Sequence, residues 1–286
     1  MRLRIPLPFL RRSVHLMLSS PDDGAVHTSG LVFGTRLLVD HFRCTGNPKD
    51  PRRLVDRRDL GSGIVTNVGV MALANDFGWA APSGAAKNTL KLANNHASGT
   101  GTTAPAATDI KLATASTAGG QVPTAGTQTL VSAANLQKYK TVGTIAYTGS
   151  EAVSEWGLVT SSTLPSGALS SSTGSPFTAG SATSGTTTGT SLTASSATVQ
   201  GQQSSIFERT SGSNLSYGLV VSNTTSVVTV PAWYLVATGA AGQAPANAET
   251  YLIRPVLWDR KTFSAISVIS GDDLQFTYLL TISSGG

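Results

Sequence analysis

Six strand-like runs crowd the C-terminal third of the chain, and their spacing limits the folds open to it. Residues 204–209, 217–222, 226–237, 250–258, 265–269 and 274–282 are rich in β-branched and aromatic side chains. Short polar turns separate them, including 223–225, 239–242, 259–261 and 271–273. Strand runs at this spacing predict a sandwich or barrel. Ile266 and Val268, then Leu274, Phe276 and Tyr278, alternate around Ser270-Gly-Asp-Asp273, which reads as a hairpin with one buried face.

Upstream the strand signals are sparser. Residues 140–147 and 151–160 read as strands, and 110–114 as a short one after the turn-rich stretch from Ala97. The segment 64–79 predicts a short helix, with Thr66 or Asn67 as N-cap and Val68, Met71, Ala72 and Phe77 on one face. Gly69 weakens this helix and Gly78 can stop it. Residues 161–188 are a low-complexity Ser/Thr/Gly/Ala tract, read as a long excursion between strands. The fold class expected is mainly β: an antiparallel β-sandwich or jelly-roll-like body with one short helix and long Ser/Thr/Gly loops.

Composition sharpens this reading. Only 12% of the 286 residues are charged, while Ser and Thr together fill about a quarter of the chain. No apolar run approaches the ~18 residues of a spanning helix, and the Val, Leu and Ile content is too high for wholesale disorder. The net charge of +5 belongs to one end. Residues 1–59 carry eleven Lys/Arg against six acids, whereas 60–286 carry nine of each. This break places a boundary near Leu60-Gly61-Ser62-Gly63, with a basic N-terminal arm or extension over 1–59 and a β-rich structural body over 60–286. Three readings of the front stay open: a docking arm, a targeting peptide, or an over-long start. Its arginines are interspersed with Asp50, Asp56 and Asp59 and have few aromatic neighbours, so nucleic acid is not the expected partner.

Motifs for chemistry are missing. There is no Gly-x-Ser-x-Gly elbow, no P-loop lysine, no His-Glu-x-x-His, and Gly61-x-Gly63 and Gly99-x-Gly101 lack the third glycine of a dinucleotide fingerprint. A single cysteine, Cys44, three residues after His41, excludes an intramolecular disulfide and reads as a small buried or edge residue. Glu151 and Glu155 resemble a glycosidase pair in spacing, but on one strand they lie about 13 Å apart, beyond either glycosidase geometry. A solvated face or a local backbone cap is the favoured role. Asp272-Asp273 after Gly271 suits a calcium-binding turn or an ordinary hairpin turn, the latter being favoured. Trp79, Trp156, Trp233 with Tyr234, and Trp258 read as core residues in preference to a sugar-stacking platform. No catalytic, cofactor-binding or metal residue is assigned, and no cofactor is expected.

Three segments together resemble accessory structural proteins of tailed-phage virions. They are Gly63-Ile-Val-Thr-Asn-Val-Gly-Val70; Ser98-Gly-Thr-Gly-Thr-Thr-Ala-Pro-Ala-Ala-Thr-Asp109 with the later Glu155-Trp-Gly-Leu158; and the ending from Trp258 to Tyr278. The resemblance covers about 60–286 and leaves 1–59 without a counterpart. It implies a non-enzymatic virion component, a head decoration, neck or tail accessory protein. Such a protein works as a homo-oligomer, expected to be a trimer, bound to other virion proteins such as major capsid or tail proteins, and not to a membrane. The competing reading is a receptor- or carbohydrate-binding adhesin module of the tail; a glycan-cleaving enzyme is a third.

Overall fold

Long antiparallel strands build the main body of this chain from two facing sheets. The computed structural model describes residues 30–47, 50–78, 89–119, 122–133, 136–161, 177–178, 192–194, 205–223, 227–243 and 251–285. In chain order the elements are β1 (Gly30–Asn47), β2 (Asp50–Gly61), β3 (Ile64–Val65), α1 (Asn67–Gly78), α2 (Thr89–Leu92), β4 (Asn95–Gly99), β5 (Thr124–Ala125), β6 (Thr127–Ala133), β7 (Leu136–Ala146) and β8 (Glu151–Val159). They continue with β9 (Phe177–Thr178), β10 (Leu192–Ala194), β11 (Ser205–Arg209), β12 (Ser216–Leu219), β13 (Ser222–Asn223), β14 (Val227–Thr229), β15 (Tyr234–Leu235), β16 (Tyr251–Pro255), β17 (Leu257–Val268) and β18 (Asp273–Gly285).

One main sheet has the order β2-β1-β18-β7-β6 and the other β3-β17-β8-β4-β5. Their inner faces share one core, to which Leu37 and Val39 of β1, Ile145 of β7, and Leu274, Phe276 and Tyr278 of β18 contribute from one side. Val153, Trp156 and Leu158 of β8 with Trp258, Ile266 and Val268 of β17 come from the other. The two layers meet through aromatics: the Trp156 ring stacks on Tyr278 at 5.5 Å between centroids, and Trp258 Nε1 donates to the Tyr278 hydroxyl at 3.0 Å. This is the expected mainly β, antiparallel sandwich. The chain changes sheet between β2 and β3, β5 and β6, β7 and β8, and β17 and β18.

That last crossing corrects the hairpin expected around Ser270. Ile266, Val268, Leu274, Phe276 and Tyr278 are all buried, as their alternation requires. Yet β17 pairs with β8 and β3, whereas β18 pairs with β1 and β7. The 269–272 turn, with Gly271 at φ +89°, carries the chain from one layer to the other. A hairpin and an arch between facing sheets share the same burial alternation, so pattern alone does not separate them.

The charge break near Leu60 is likewise not a break in the fold. Residues 30–59, grouped by composition with the front of the chain, form β1 and β2; β1 pairs with β18 from Gly30–Gly285 to Phe42–Asp273. Residues 1–29 lie outside the described residues. The strand expected over 110–114 is absent: this stretch is irregular, and Ala115 makes only a single bridge to Gly99. Of the 161–188 excursion only Ser161 and the short β9 fall within the described residues.

Between β8 and β17 the chain builds a further sheet, β15-β12-β11-β16, and a small one, β13-β14-β10-β9. A second core lies where Ile206, Tyr217 and Leu219 meet Val68 and Ala72 of α1. Thr66 caps this helix, its hydroxyl oxygen accepting from the Gly69 amide at 3.1 Å while the hydroxyl donates to the Leu257 carbonyl. Packing against Trp258 favours glycine at position 69. A β-carbon there would stand 3.0 Å from the Trp258 carbonyl oxygen and 3.1 Å from its Cα. The usual gain from glycine to alanine in a helix, about 1 kcal/mol, is therefore reversed. Gly69→Ala is expected to lower unfolding stability in urea by about 1–3 kcal/mol.

Candidate functional site

The ionisable groups that the sequence offers for chemistry are placed on β8, β17, β1 and the β17–β18 turn, and each is engaged with a neighbouring segment. Arg260 of β17 and Glu155 of β8 are both buried, 1% and 0% exposed in their side chains, and Arg260 Nε donates to Glu155 Oε1 at 2.5 Å. The rest of the guanidinium reaches the 100–118 loop, with Nη1 donating to Asp109 Oδ2 at 2.5 Å and Nη2 to the Thr103 carbonyl at 3.0 Å. Glu155 accepts in addition from the Ala113 and Thr114 amides at 2.7 and 3.1 Å. A buried ion pair persists only when its remaining donors and acceptors are satisfied, and here a loop backbone satisfies them.

Gly99 and Gly101 make room for this clamp. A β-carbon at Gly101 would lie 2.2 Å from Glu155 Oε2, and one at Gly99 would lie 2.2 Å from the Thr114 carbonyl. The Gly-x-Gly spacing thus serves close approach to a carboxylate and a loop.

Glu151 does the same work one turn of loop further on. Its carboxylate accepts from the Thr117 and Ala118 amides at 2.8 and 3.1 Å. Burial works to raise this carboxyl, but the Ser116 hydroxyl and the two amides outweigh it and hold the group below the ordinary glutamate value. The two glutamates therefore act as backbone caps, each on its own loop segment, and do not converge on one point.

His41 and Asp272 come together although 231 residues separate them. His41 Nε2 lies 2.9 Å from Asp272 Oδ2, Arg43 donates twice to the same carboxylate at 3.1 and 3.2 Å, and the Ile269 amide donates at 3.1 Å. Burial opposes ionisation of Asp272, yet Arg43 and His41 prevail and lower its pKa. Asp273 pairs with Arg52 of β2 at 2.7 Å. The Asp-Asp turn is thus bonded to the basic strands. Among the described residues no group of three His, Cys, Asp or Glu could hold a metal ion. Cys44 is exposed, not buried.

Three further arginines of β1 and β2 are paired with aspartates of the same two strands. Arg36 bonds Asp59, Arg57 bonds Asp40 and Arg58 bonds Asp56, at 2.5 to 2.6 Å. Trp156, Trp233 and Trp258 are buried, so none offers a ring to a sugar; Trp79 lies outside the described residues. A recess lined by Ala97, Ile110, Leu112, Val159 and Leu257 admits no more than a water molecule.

Two buried groups escaped the sequence reading. Trp156 Nε1 donates to His96 Nδ1 at 3.2 Å, which leaves the ring proton on Nε2, 3.2 Å from the Thr141 hydroxyl. Burial pushes this histidine down to about 3. The ring fits because Gly126 and Gly143 lack side chains: a β-carbon at Gly143 would sit 2.4 Å from the imidazole. Asp259 is fully buried beside Gly63, and neither carboxylate oxygen has a hydrogen-bond partner of good geometry. Burial raises its pKa to about 7, against the opposing pull of the Tyr278 hydroxyl, the Arg260 amide, Lys261 and Thr35. No sequence signal marks either residue, because their burial follows from strand register.

Among the described residues the β6 sheet edge is uncharged and unpaired. β6 is the last strand of its sheet, carries no charged residue, and exposes Leu130 and Val131. No family model, curated protein or solved structure matches the chain.

Glu155→Gln leaves Arg260 buried without a full counter-charge, so a loss of about 3–5 kcal/mol is expected in urea unfolding, with proteolytic cleavage appearing within 100–118. Asp259→Asn should act with the opposite sign. The unfolded carboxyl titrates near 3.8 and the folded one near 7. Between these values the folded state holds a proton that the unfolded state lacks, so stability falls as pH rises through this window. The neutral variant should therefore exceed the wild type in urea midpoint at pH 8, with the gap closing towards pH 4; a gap independent of pH would contradict the assignment.

Proposed function

We propose that this chain is a non-enzymatic structural protein of a tailed-phage virion, binding neighbouring subunits as a head decoration, neck or tail accessory protein. The observation that carries the reading is the commitment of the buried Glu155, Arg260 and Asp272, and of the half-buried Glu151, to holding loops and turns, beside a sheet edge, β6, that is uncharged and, among the described residues, unpaired. Catalysis needs ionisable groups converging on an accessible point. Assembly needs a rigid body, fixed loops and surface that loses little on desolvation. The low charge of 60–286 and its hydroxyl-rich stretches suit the second requirement.

Its partners under this reading are copies of itself and other virion proteins, major capsid or tail proteins among them. The pairing of Arg36, Arg57 and Arg58 argues against nucleic acid, since the carboxylate beside each of these three competes with phosphate. Quantitative mass spectrometry of purified particles tests the proposal: the chain should be present in a fixed copy number that survives high-salt washing. Absence from particles, with the protein abundant in the soluble fraction, would contradict it.

A further inference from the structure

A sheet ends wherever a strand leaves its outer N–H and C=O groups unpaired, and folded proteins normally block such edges with charge, proline, bulges or brevity. The two main sheets here have four edges: β2, β6, β3 and β5. β3 and β5 are two residues each, too short to template a ladder. β2 carries Arg52, Arg53, Arg57 and Arg58, and its pairing with β1 is interrupted by register shifts. Three of these edges are blocked by familiar means.

β6 has none of these guards. Its seven residues, Thr127-Gln-Thr-Leu-Val-Ser-Ala133, include no charge, no proline and no glycine, and they pair with β7 in unbroken register. Threonine, leucine and valine suit a pleated strand. Leu130 at the centre is 69% exposed and Val131 48%. Among the described residues nothing pairs with the outer side of β6.

We propose that β6 is a self-pairing edge: two copies of the chain join β6 to β6 in antiparallel register about a two-fold axis, continuing the five-stranded sheets into one of ten strands. This deepens the assembly reading given above and rests on it. A second copy is the occupant that the chemistry favours. Antiparallel pairing of a strand with itself is self-complementary by symmetry, as a two-fold interface requires. An uncharged edge asks for no oppositely charged partner, and both strands bring the same unguarded backbone. Full overlap of the seven residues centres the axis on Leu130. It sets Leu130 against its own counterpart, Thr129 against Val131 and Gln128 against Ser132, so the most exposed apolar side chain becomes covered.

The neighbouring cations fit this arrangement. Lys138 and Lys140 lie on β7 opposite Val131 and Thr129. Across the joined sheet the two β7 strands stand three spacings apart, about 14 Å, which exceeds the Debye length at physiological salt. Their repulsion is weak and lessens as salt rises. The contact is two-fold, so a trimer would need a surface other than β6.

Sedimentation velocity of the full chain, with Leu130→Lys and Val55→Lys as edge variants, tests the proposal. The wild type is expected to sediment as a dimer at tens of micromolar. Leu130→Lys should weaken self-association by about tenfold or more, because like charges directly opposite across a ladder are destabilising, with unchanged circular dichroism and melting. Val55→Lys, on the β2 edge, should leave the dimer intact. In a Cys44→Ser background, Leu130→Cys should form an inter-chain disulfide under mild oxidation. A monomeric wild type, or an oligomer indifferent to Leu130→Lys and not cross-linked through position 130, would overturn the proposal. Particle content separates the two readings: a monomer still present in virions removes the β6 contact alone, whereas a β6 dimer absent from virions removes the virion assignment alone.

Discussion

The Arg260–Glu155 ion pair is the interaction on which most of this molecule's order depends. Taking both charges out of water is costly, by several kcal/mol per ion, and their mutual attraction alone does not reliably offset it. The additional hydrogen bonds change that balance. Arg260 reaches Asp109 and the Thr103 carbonyl, and Glu155 reaches the Ala113 and Thr114 amides, so β17 and β8 hold the 100–118 loop from both ends. The loop in turn brings Ile110 into the second core and offers the Ala107 carbonyl to the Asn67 amide at the start of α1. Loss of the pair would therefore reach the helix and the β11–β12 layer, although neither touches it.

Glycine is the counterpart of these buried charges. Gly99 and Gly101 stand against Glu155 and its loop, Gly63 against Asp259, and Gly126 and Gly143 against His96. Polar side chains enter the sheet interior where the facing strand or loop has no β-carbon, which is how a sandwich with so few charges can enclose several of them. The sheet containing β1 and β2 uses charge differently. Its exposed Arg36 and Arg57 pair with Asp59 and Asp40 across these two strands, contacts worth little individually at a wet surface. They neutralise one sheet edge while the other stays bare.

Much of the fold was legible in the residues. Apolar and β-branched runs in β7 and β8, and alternation in β17 and β18, announced a mainly β body, and Thr66 with the spacing of Val68 and Ala72 announced α1. The separation of Glu151 and Glu155 spoke against a glycosidase pair and left a solvated face or a local backbone cap, of which the structure shows the cap. Three features were not legible, each for a physical reason. The β17–β18 connection shares its burial alternation with a hairpin, and only the partners of each strand distinguish them. The arginine-rich β1 and β2 look like a separate arm because the carboxylates that pair with Arg43 and Arg52, Asp272 and Asp273, lie over 200 residues away in sequence. His96, Asp259 and the β6 edge depend on which strand neighbours which, a long-range property that local periodicity does not carry.

The central claim is that Glu155 and Glu151 hold the 113–118 segment as firmly as a strand. Hydrogen exchange at the Ala113, Thr114, Thr117 and Ala118 amides reads this directly. The account predicts that all four exchange only through global unfolding, with protection close to that of the β8 amides. Exchange at the rate of an open surface loop, while β8 stays protected, would contradict it.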